Sequence, residues 1–497
     1  MPSSLPPLAL ADVVILGAGP AGSAAARLLA ARGHSVVILA RTPNGKGLAE
    51  SLPPSTTRLF DALGVRAAID DAQFIRATGN TVKWAARDIR VEPFDGTTRG
   101  YQVPRDRFDK VLLDAAVAVG ATVHAKSIAR RVARDGDVLS ITFDSPAGRQ
   151  TVRAHWVLDC SGRSGVVARS GWRKPEPTAR TTAIVGVWQR GDEWPVDDNS
   201  HTLVESYAGG WAWSVPASQA QRFVTVMLDP SVTDVPGRAG LGHAYRAEIA
   251  RTTMIRRLVA GATLAVAPWG RDATPYSADR VSGGGILLIG DAASFVDPLS
   301  SFGVKKALAS AWLAAVAVHT AIAEPAMAPA AFDLFDGRER AMYDNLQRQS
   351  AALSRDAAGA YGSDFWRGRV DGTWDDAPGE LDVAALRADA RVVSAFEELK
   401  RRSVLKLRAG GSMSIVHRPI VRGHRVVLEQ HLTSPALPDA VRYCRNVNLV
   451  LIATLAAQFD QVPDLFDAYN RAAPPAPLPD FLGALATLVG LDLLTFA

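Results

Sequence analysis

The feature that most constrains this chain is a glycine-rich turn near its start, Gly17-Ala-Gly19-Pro-Ala-Gly22. Residues 12–16 (Asp-Val-Val-Ile-Leu) form a short β-rich run before it, and residues 23–32 read as an Ala/Leu helix after it. Gly33-His34 closes that helix, and residues 35–40 (Ser-Val-Val-Ile-Leu-Ala) form a second buried strand. Strand, helix and strand within about thirty residues make a βαβ unit, whose near-continuous apolar strands imply a parallel sheet covered on both faces. Gly17 permits the tight turn, Gly19 lets backbone approach a pyrophosphate, and Gly22 allows close helix–strand packing. The helix N-terminus supplies N–H groups and a positive dipole end for phosphates. This turn predicts dinucleotide binding. The acidic residue that usually holds the ribose at the end of the second strand is absent: Ala40-Arg41 stands there, so the hydroxyls need another partner, Arg41 or Glu50.

Composition narrows the rest. Of 497 residues, 48% are hydrophobic and 21% charged, a globular balance that excludes disorder and collagen-like order. The formal charge of +5 is too mild for a nucleic-acid partner, and no run of five or six like charges appears. Cys160 and Cys444 make no disulfide framework and have no metal-ligand spacing to a histidine. His417, His424 and His431 recur every seven residues, which is not the spacing of a helical metal pair, and no metal is expected. No secretory signal is readable in residues 1–10, and the apolar stretch 481–497 is interrupted by Asp492 and short for a bilayer. The expectation is a cytoplasmic protein with no membrane span.

Further along, residues 156–158 and 285–289 are two more short buried strands, each ending in a Gly/Asp/Ser turn of the kind where an open α/β sheet holds ligands. Residues 181–188, 211–215 and 222–228 read as strands of a second, inserted sheet. After about Lys305 the chain turns helical, with 375–379 a candidate linker and 473–479 a candidate hinge. The fold class expected is α/β: a Rossmann-like dinucleotide-binding domain, an inserted β-rich substrate domain and a helical C-terminal region. The expected bounds are 1–60, 100–165 and 270–340 for the first, 61–99 and 166–269 for the second, and 341–497 for the third. Residues 480–489 read as an apolar docking or packing helix, with Asp480 a candidate N-cap. If that helix docks a protein substrate, deleting 473–497 impairs action on that substrate and leaves the cofactor bound.

FAD enters by resemblance. Gly290-Asp291-Ala-Ala, ending a buried strand, is similar to the second FAD fingerprint of the hydroxylase-type flavoproteins, with Asp291 placed to accept a ribityl hydroxyl. Arg105-Asp-Arg107-Phe108-Asp109 resembles that group's R-x-x-F/L-D segment, whose arginine contacts FAD, and Asp159-Cys-Ser-Gly162-Arg163 resembles its D-x-S-G-R turn. Trp211-Ala-Trp213-Ser-Val215-Pro216 resembles the W-x-W-x-I-P motif of flavin-dependent halogenases, with Val for Ile. Phe295-Val-Asp-Pro298-Leu-Ser-Ser301-Phe-Gly303 fits their F-x-x-P-x-x-S-x-G motif, and Glu50-Ser-Leu-Pro-Pro54 is similar to their G-E-S-x-x-P loop without its Gly.

The resemblance implies that the loop through Pro298, Gly303 and Val304 binds the flavin edge. Trp211 and Trp213 would wall the passage to the substrate, with Ser301 at the reacting site. A halogenase also needs a lysine to pass on hypohalous acid formed from a flavin hydroperoxide, and Lys83 is the candidate. Tryptophan halogenases usually carry Glu before the motif serine, where this chain has Ser300. The segment Gly79-Asn80 to Trp84, together with the two motifs, looks closer to the halogenase-like monooxygenases that oxidise a protein tryptophan during tryptophylquinone biogenesis, as for quinohemoprotein amine dehydrogenase. There a C4a-hydroperoxide transfers OH directly to an electron-rich ring, and Lys83 becomes a hydrogen-bond donor. The reading is an FAD-dependent monooxygenase acting on an aromatic substrate, protein- or carrier-bound, with NAD(P)H or a flavin reductase as electron source. An FAD halogenase using Lys83 is the alternative, and a non-oxygenating reductase or assembly factor the second alternative.

Overall fold

The computed structural model describes residues 10–42, 47–175, 180–231, 237–300, 302–370, 388–435 and 437–497. The chain divides into two units, Met1–Trp374 and Asp375–Ala497. The candidate linker 375–379 lies outside the described residues.

In the first unit the apolar run Ala11–Leu16 lies between Val36–Ala40 and Gly148–Asp159, parallel to both. Ile286–Leu288 and Thr122–Ala125 extend the parallel part on either side. Two antiparallel strands, Val138–Ser145 and Ile128–Asp135, grow off the long strand Gly148–Asp159, and the short Ser282–Gly283, antiparallel to Ile286–Leu288, brings the sheet to eight. Burial on both faces explains why its central strands carry no polar alternation: Val13, Val14 and Ile15 are all fully buried. Helices Pro20–Ala30 and Gly303–Ala323 pack on one another beside this sheet. Gly303–Ala323 is the one described helix both long and apolar enough to cross a membrane, and two-thirds of its apolar window is buried within the protein.

A second, seven-stranded sheet runs Thr263–Asp272, Thr182–Gln189, Gln221–Leu228, Gly210–Pro216, Thr202–Tyr207, Gly79–Lys83 and Arg90–Pro93. One face packs on helices Gly237–Arg251 and Met254–Val259. The opposite face holds a cluster of aromatic side chains, closed over by residues 353–366. Those residues end the 34-residue helix Ala328–Tyr361 and form the short helix Asp364–Arg367. A domain boundary at 340/341 is therefore corrected: it would cut this helix in two.

The second unit contains the expected helices, Ala390–Arg401, Leu449–Leu455, Val462–Ala472 and Leu478–Gly490. It also contains a three-stranded sheet, Ser414–Arg422, Arg425–Ser434 and Leu437–Val441. His417, His424 and His431 sit on this hairpin rather than on a helix. The reading of residues 480–489 as a docking surface is corrected too. Phe481, Leu485 and Leu488 are fully buried in the unit's own core. Pro477, not Asp480, is the N-cap, and Asp480 pairs with Arg445 at 2.7 Å.

Candidate flavin and substrate site

Gly17 ends the first strand with φ +112°, and a Cβ there would lie 2.5 Å from the Cys160 carbonyl oxygen. A Cβ on Gly22 would come within 1.9 Å of the Gly17 carbonyl oxygen. Both positions are closed to any side chain. At Gly19, by contrast, a Cβ would meet nothing within 4 Å, so the space beside the helix start is open. Gly19 is the N-cap and no side chain caps the helix, which leaves first-turn N–H groups directed at that opening. Open space beside uncapped N–H groups suits a phosphate.

The carboxylates and arginines around it come from four separate elements. Arg105 opens helix Arg105–Val117 and binds both oxygens of Asp109, at 2.9 and 3.1 Å, while its Nη1 reaches Glu50 at 3.3 Å. Burial raises the Glu50 carboxyl above its usual range and Arg105 pulls it back, with Asp291 raising it further. Asp291 occupies the turn Gly290–Ala292 after Ile286–Leu288, at the carboxyl end of the parallel strands, where such sheets bind ligands. Arg41 is exposed just past the second strand.

Beside this cradle is a cavity of about 550 Å³ lined by Arg163, Arg169, Arg173, Arg271, Asp272 and Tyr276, among others. The Arg163 guanidinium lies 3.9 Å over the Phe295 ring and Arg173 lies 3.7 Å over Tyr276. Arg271 is held below its usual pKa by burial and by Arg105, Arg163 and Arg41 around it. Arg163 Nη1 and Arg173 Nε are buried without a hydrogen-bond partner. Crowded guanidinium groups with orphaned donors fit an anionic, phosphate-bearing ligand. Sequence reading reached Arg163 through its motif. It missed Arg173, Arg271 and Tyr276, which are brought in by distant strands with no local pattern to mark them.

On the other side, the turn Pro298–Ser300 leads into helix Gly303–Ala323, whose start also lacks a side-chain cap. Asp297 Oδ1 accepts the Leu299 N–H at 3.1 Å, which shapes the turn. Lys305 reaches Ser55 at 2.9 Å and so ties the helix start to the loop after Glu50. Gly303 is exposed and Val304 is buried. Ser301 lies outside the described residues.

Trp211 and Trp213, two apart on strand Gly210–Pro216, share a face and stack with ring centroids 4.7 Å apart at 24°. They join Val82, Trp84, Phe365 and Trp366, with Phe295 and Leu299, which precede helix Gly303–Ala323, packed against them. Trp84 Nε1 donates to Leu353 O and Trp366 Nε1 to Tyr207 O. Trp211 Nε1, in a residue only 2% exposed, has no partner.

The family model described as FAD binding domain matches residues 10–328, more than half of the chain. The chain belongs to the FAD binding domain family. Tryptophan 2-halogenase of Chondromyces crocatus is 30% identical over 325 residues, 63% of this chain and 61% of the relative. The chain therefore spans about six-tenths of that relative's length. The solved structure of CmlS, a flavin-dependent halogenase, superposes with a TM-score of 0.78 at 23% identity, covering 98% of this chain and 96% of that one. The peptidyl tryptophan dihydroxylase QhpG, essential for tryptophylquinone cofactor biogenesis, superposes with a TM-score of 0.66 at 24% identity, covering 92% and 95%. Both likenesses are of fold.

For an FAD binding domain the features fit their cofactor. The open space at Gly19 suits the pyrophosphate, Asp291 the ribityl chain, and the start of Gly303–Ala323 the ring edge. Lys83 does not join the tryptophans. Trp213 pairs with Val204 and Val204 with Val82, which puts those three on one face. Lys83 pairs with Glu205, and Glu205 with Ala212, on the opposite face, toward helix Met254–Val259. Glu205 there accepts the N–H groups of Thr253 and Ile255. Strand parity sets the face of the candidate lysine: its neighbours Val82 and Trp84 face the cluster, so Lys83 faces away from the tryptophans.

Proposed function

We propose that this chain is an FAD-dependent monooxygenase that hydroxylates an electron-rich aromatic ring, a tryptophan side chain of a peptide or protein during quinone cofactor maturation. The observation that carries the reading is the composition of the aromatic face. Through the pairings Val82–Val204–Trp213–Thr225 and Ser206–Trp211–Met227–Ala183 it presents two stacked indoles and an orphan N–H donor but, among the described residues, no lysine. A halogenase needs a lysine there; a hydroxylase does not. FAD, when bound, supplies the activation of dioxygen.

The chain supplies orientation and dryness. Trp211 and Trp213 offer a flat apolar wall against which an aromatic ring stacks. Trp211 Nε1–H, having no internal acceptor, is free to donate to an oxygen or carbonyl of the substrate. Trp84, Phe365 and Trp366 close the far side against water. Burial raises the Asp297 carboxyl above its usual range, with Arg369 and the Leu299 N–H opposing. Electrons come from NAD(P)H or a partner flavin reductase, and oxidation of NAD(P)H by the isolated protein distinguishes the two.

The halogenase reading rests on the sequence likeness to tryptophan 2-halogenase and requires Lys83. Lys83→Ala is expected to leave turnover of a tryptophan-containing peptide, followed by mass gain of oxygen, within about twofold. Trp211→Phe, which keeps the ring but removes the donor, is expected to lower it by roughly tenfold. Loss of activity in Lys83→Ala, together with a halogenated product from the unmodified protein, would turn the assignment to halogenation.

A further inference from the structure

Among the described residues, Ala85 and Ala86 are the one pair of consecutive non-glycine residues at positive φ, +54° and +58°. The Arg87 N–H returns to the Trp84 carbonyl oxygen at 3.1 Å, so residues 84–87 close a tight turn around them. Glycine or asparagine normally fills both central positions of such a turn, because a Cβ at positive φ crowds the following carbonyl. Alanine has no polar side chain to offset that cost. Strain of this kind persists only where the surroundings over-determine the conformation.

Two hydroxyls do this. Ser206 Oγ accepts the Ala85 N–H at 2.8 Å, and Tyr361 Oη accepts the Ala86 N–H at 3.0 Å. Tyr361 donates its own proton to Ser206 O at 2.8 Å, so one hydroxyl joins the turn to strand Thr202–Tyr207. The helix that ends at Tyr361 adds two more ties. Leu353 O accepts from Trp84 Nε1, and Asp356 pairs with Arg87 at 2.6 Å, the latter open to solvent and weak. The turn carries Trp84, whose indole is 3% exposed and meets Trp366 edge to face at 5.5 Å. The Ala85 methyl packs in the same aromatic cluster, whereas Ala86 is exposed. Relaxing the turn to negative φ would carry Trp84 and Ala85 off that cluster.

We propose that Tyr361 is a positioning residue: with Ser206 it holds the strained Ala85–Ala86 turn, and through that turn it fixes Trp84 as a wall of the substrate pocket. The use made of the wall rests on the hydroxylase reading above; the grip itself does not. A wall in place keeps water from the reacting ring. With the wall loose, dioxygen takes two electrons and two protons from reduced FAD and leaves as hydrogen peroxide, and no oxygen reaches the ring.

The test compares the full-length, FAD-loaded native protein with Tyr361→Phe, Ala86→Gly and the double variant. Hydrogen exchange is read at the Ala85 and Arg87 amides, whose own acceptors are not Tyr361. Exchange there is expected to quicken about tenfold in Tyr361→Phe, the scale of one lost hydrogen bond. Glycine at position 86 removes strain at one of the two positions, so the double variant is expected to return toward the native rate. With a tryptophan-containing peptide, oxygen mass gain per flavin oxidised falls several-fold in Tyr361→Phe, hydrogen peroxide makes up the difference, and the double variant recovers the yield. A tyrosine that merely packed would lower the unfolding midpoint without rescue through Ala86. Unchanged exchange in Tyr361→Phe, or no recovery in the double variant, would overturn the grip. Quickened exchange with an undiminished yield would overturn its role in the pocket. If the native protein places no oxygen on the peptide, the hydroxylase reading fails, and exchange alone decides whether Tyr361 holds the turn. Should Tyr361→Phe not fold, Ser206→Ala takes its place, read at the Arg87 amide.

Discussion

Gly22→Ala is expected to cost this protein its FAD. The added methyl would sit 1.9 Å from the Gly17 carbonyl oxygen and 3.2 Å from Ile15 Cγ2, and the nearer obstacle is backbone that no rotamer change can clear. Helix Pro20–Ala30 must then back away from the strand, which moves its first-turn N–H groups off the phosphate position. Overpacking of this kind costs about 1–3 kcal/mol, hence roughly a ten- to hundredfold loss in FAD affinity if it falls on the bound state. Gly19→Ala separates fold from cofactor. Its methyl meets no protein atom within 4 Å, and a backbone φ of −77° suits alanine, so the unfolding midpoint stays put while FAD binding weakens. Equal FAD affinity in both variants and the native protein, read by fluorescence quenching, would mean the cofactor lies elsewhere.

Removing residues 473–497 is expected to unfold the second unit rather than release a docking element. Phe481, Leu485, Leu488, Leu491, Leu493 and Leu494 are all at most 1% exposed there. At about 1.5–3 kcal/mol for each buried side chain, their loss is comparable to the whole stability of a typical domain. Strand Leu494–Phe496 also leaves its partner Leu407–Ala409 unpaired. A Cβ on Gly490 would lie 2.7 Å from Val392 Cα, which shows how closely this helix seats on Ala390–Arg401. Limited proteolysis of the truncated chain should cut throughout 388–472. Retained protection across that stretch would contradict the packing described here.

What could be read in the sequence depended on how local the signal was. The Gly17–Gly22 turn was legible because strand, glycines and helix adjoin one another. The stacking of Trp211 and Trp213 was legible because two residues apart on a strand means one face. Which face Lys83 takes was not legible, because its side of the sheet depends on register with Thr202–Tyr207, more than a hundred residues away. The arginine cavity is assembled from residues on five elements, and nothing near any one of them announces the others. Lys306 and Glu339 are single charges whose burial, at 2% and 3% exposure, only the packing of two helices shows. The hairpin at 414–434 carries a turn signal, Arg422-Gly423-His424-Arg425, between the β-branched pairs Ile420-Val421 and Val426-Val427.

The central claim is hydroxylation without halide. The direct measurement is rapid mixing of the reduced, FAD-loaded protein with oxygenated buffer, following the flavin absorbance with and without chloride or bromide. The account predicts that the oxidised flavin spectrum returns at the same rate in all three, in the native protein and in Lys83→Ala alike. A return accelerated by halide in the native protein and lost in Lys83→Ala would contradict it and make this chain a halogenase.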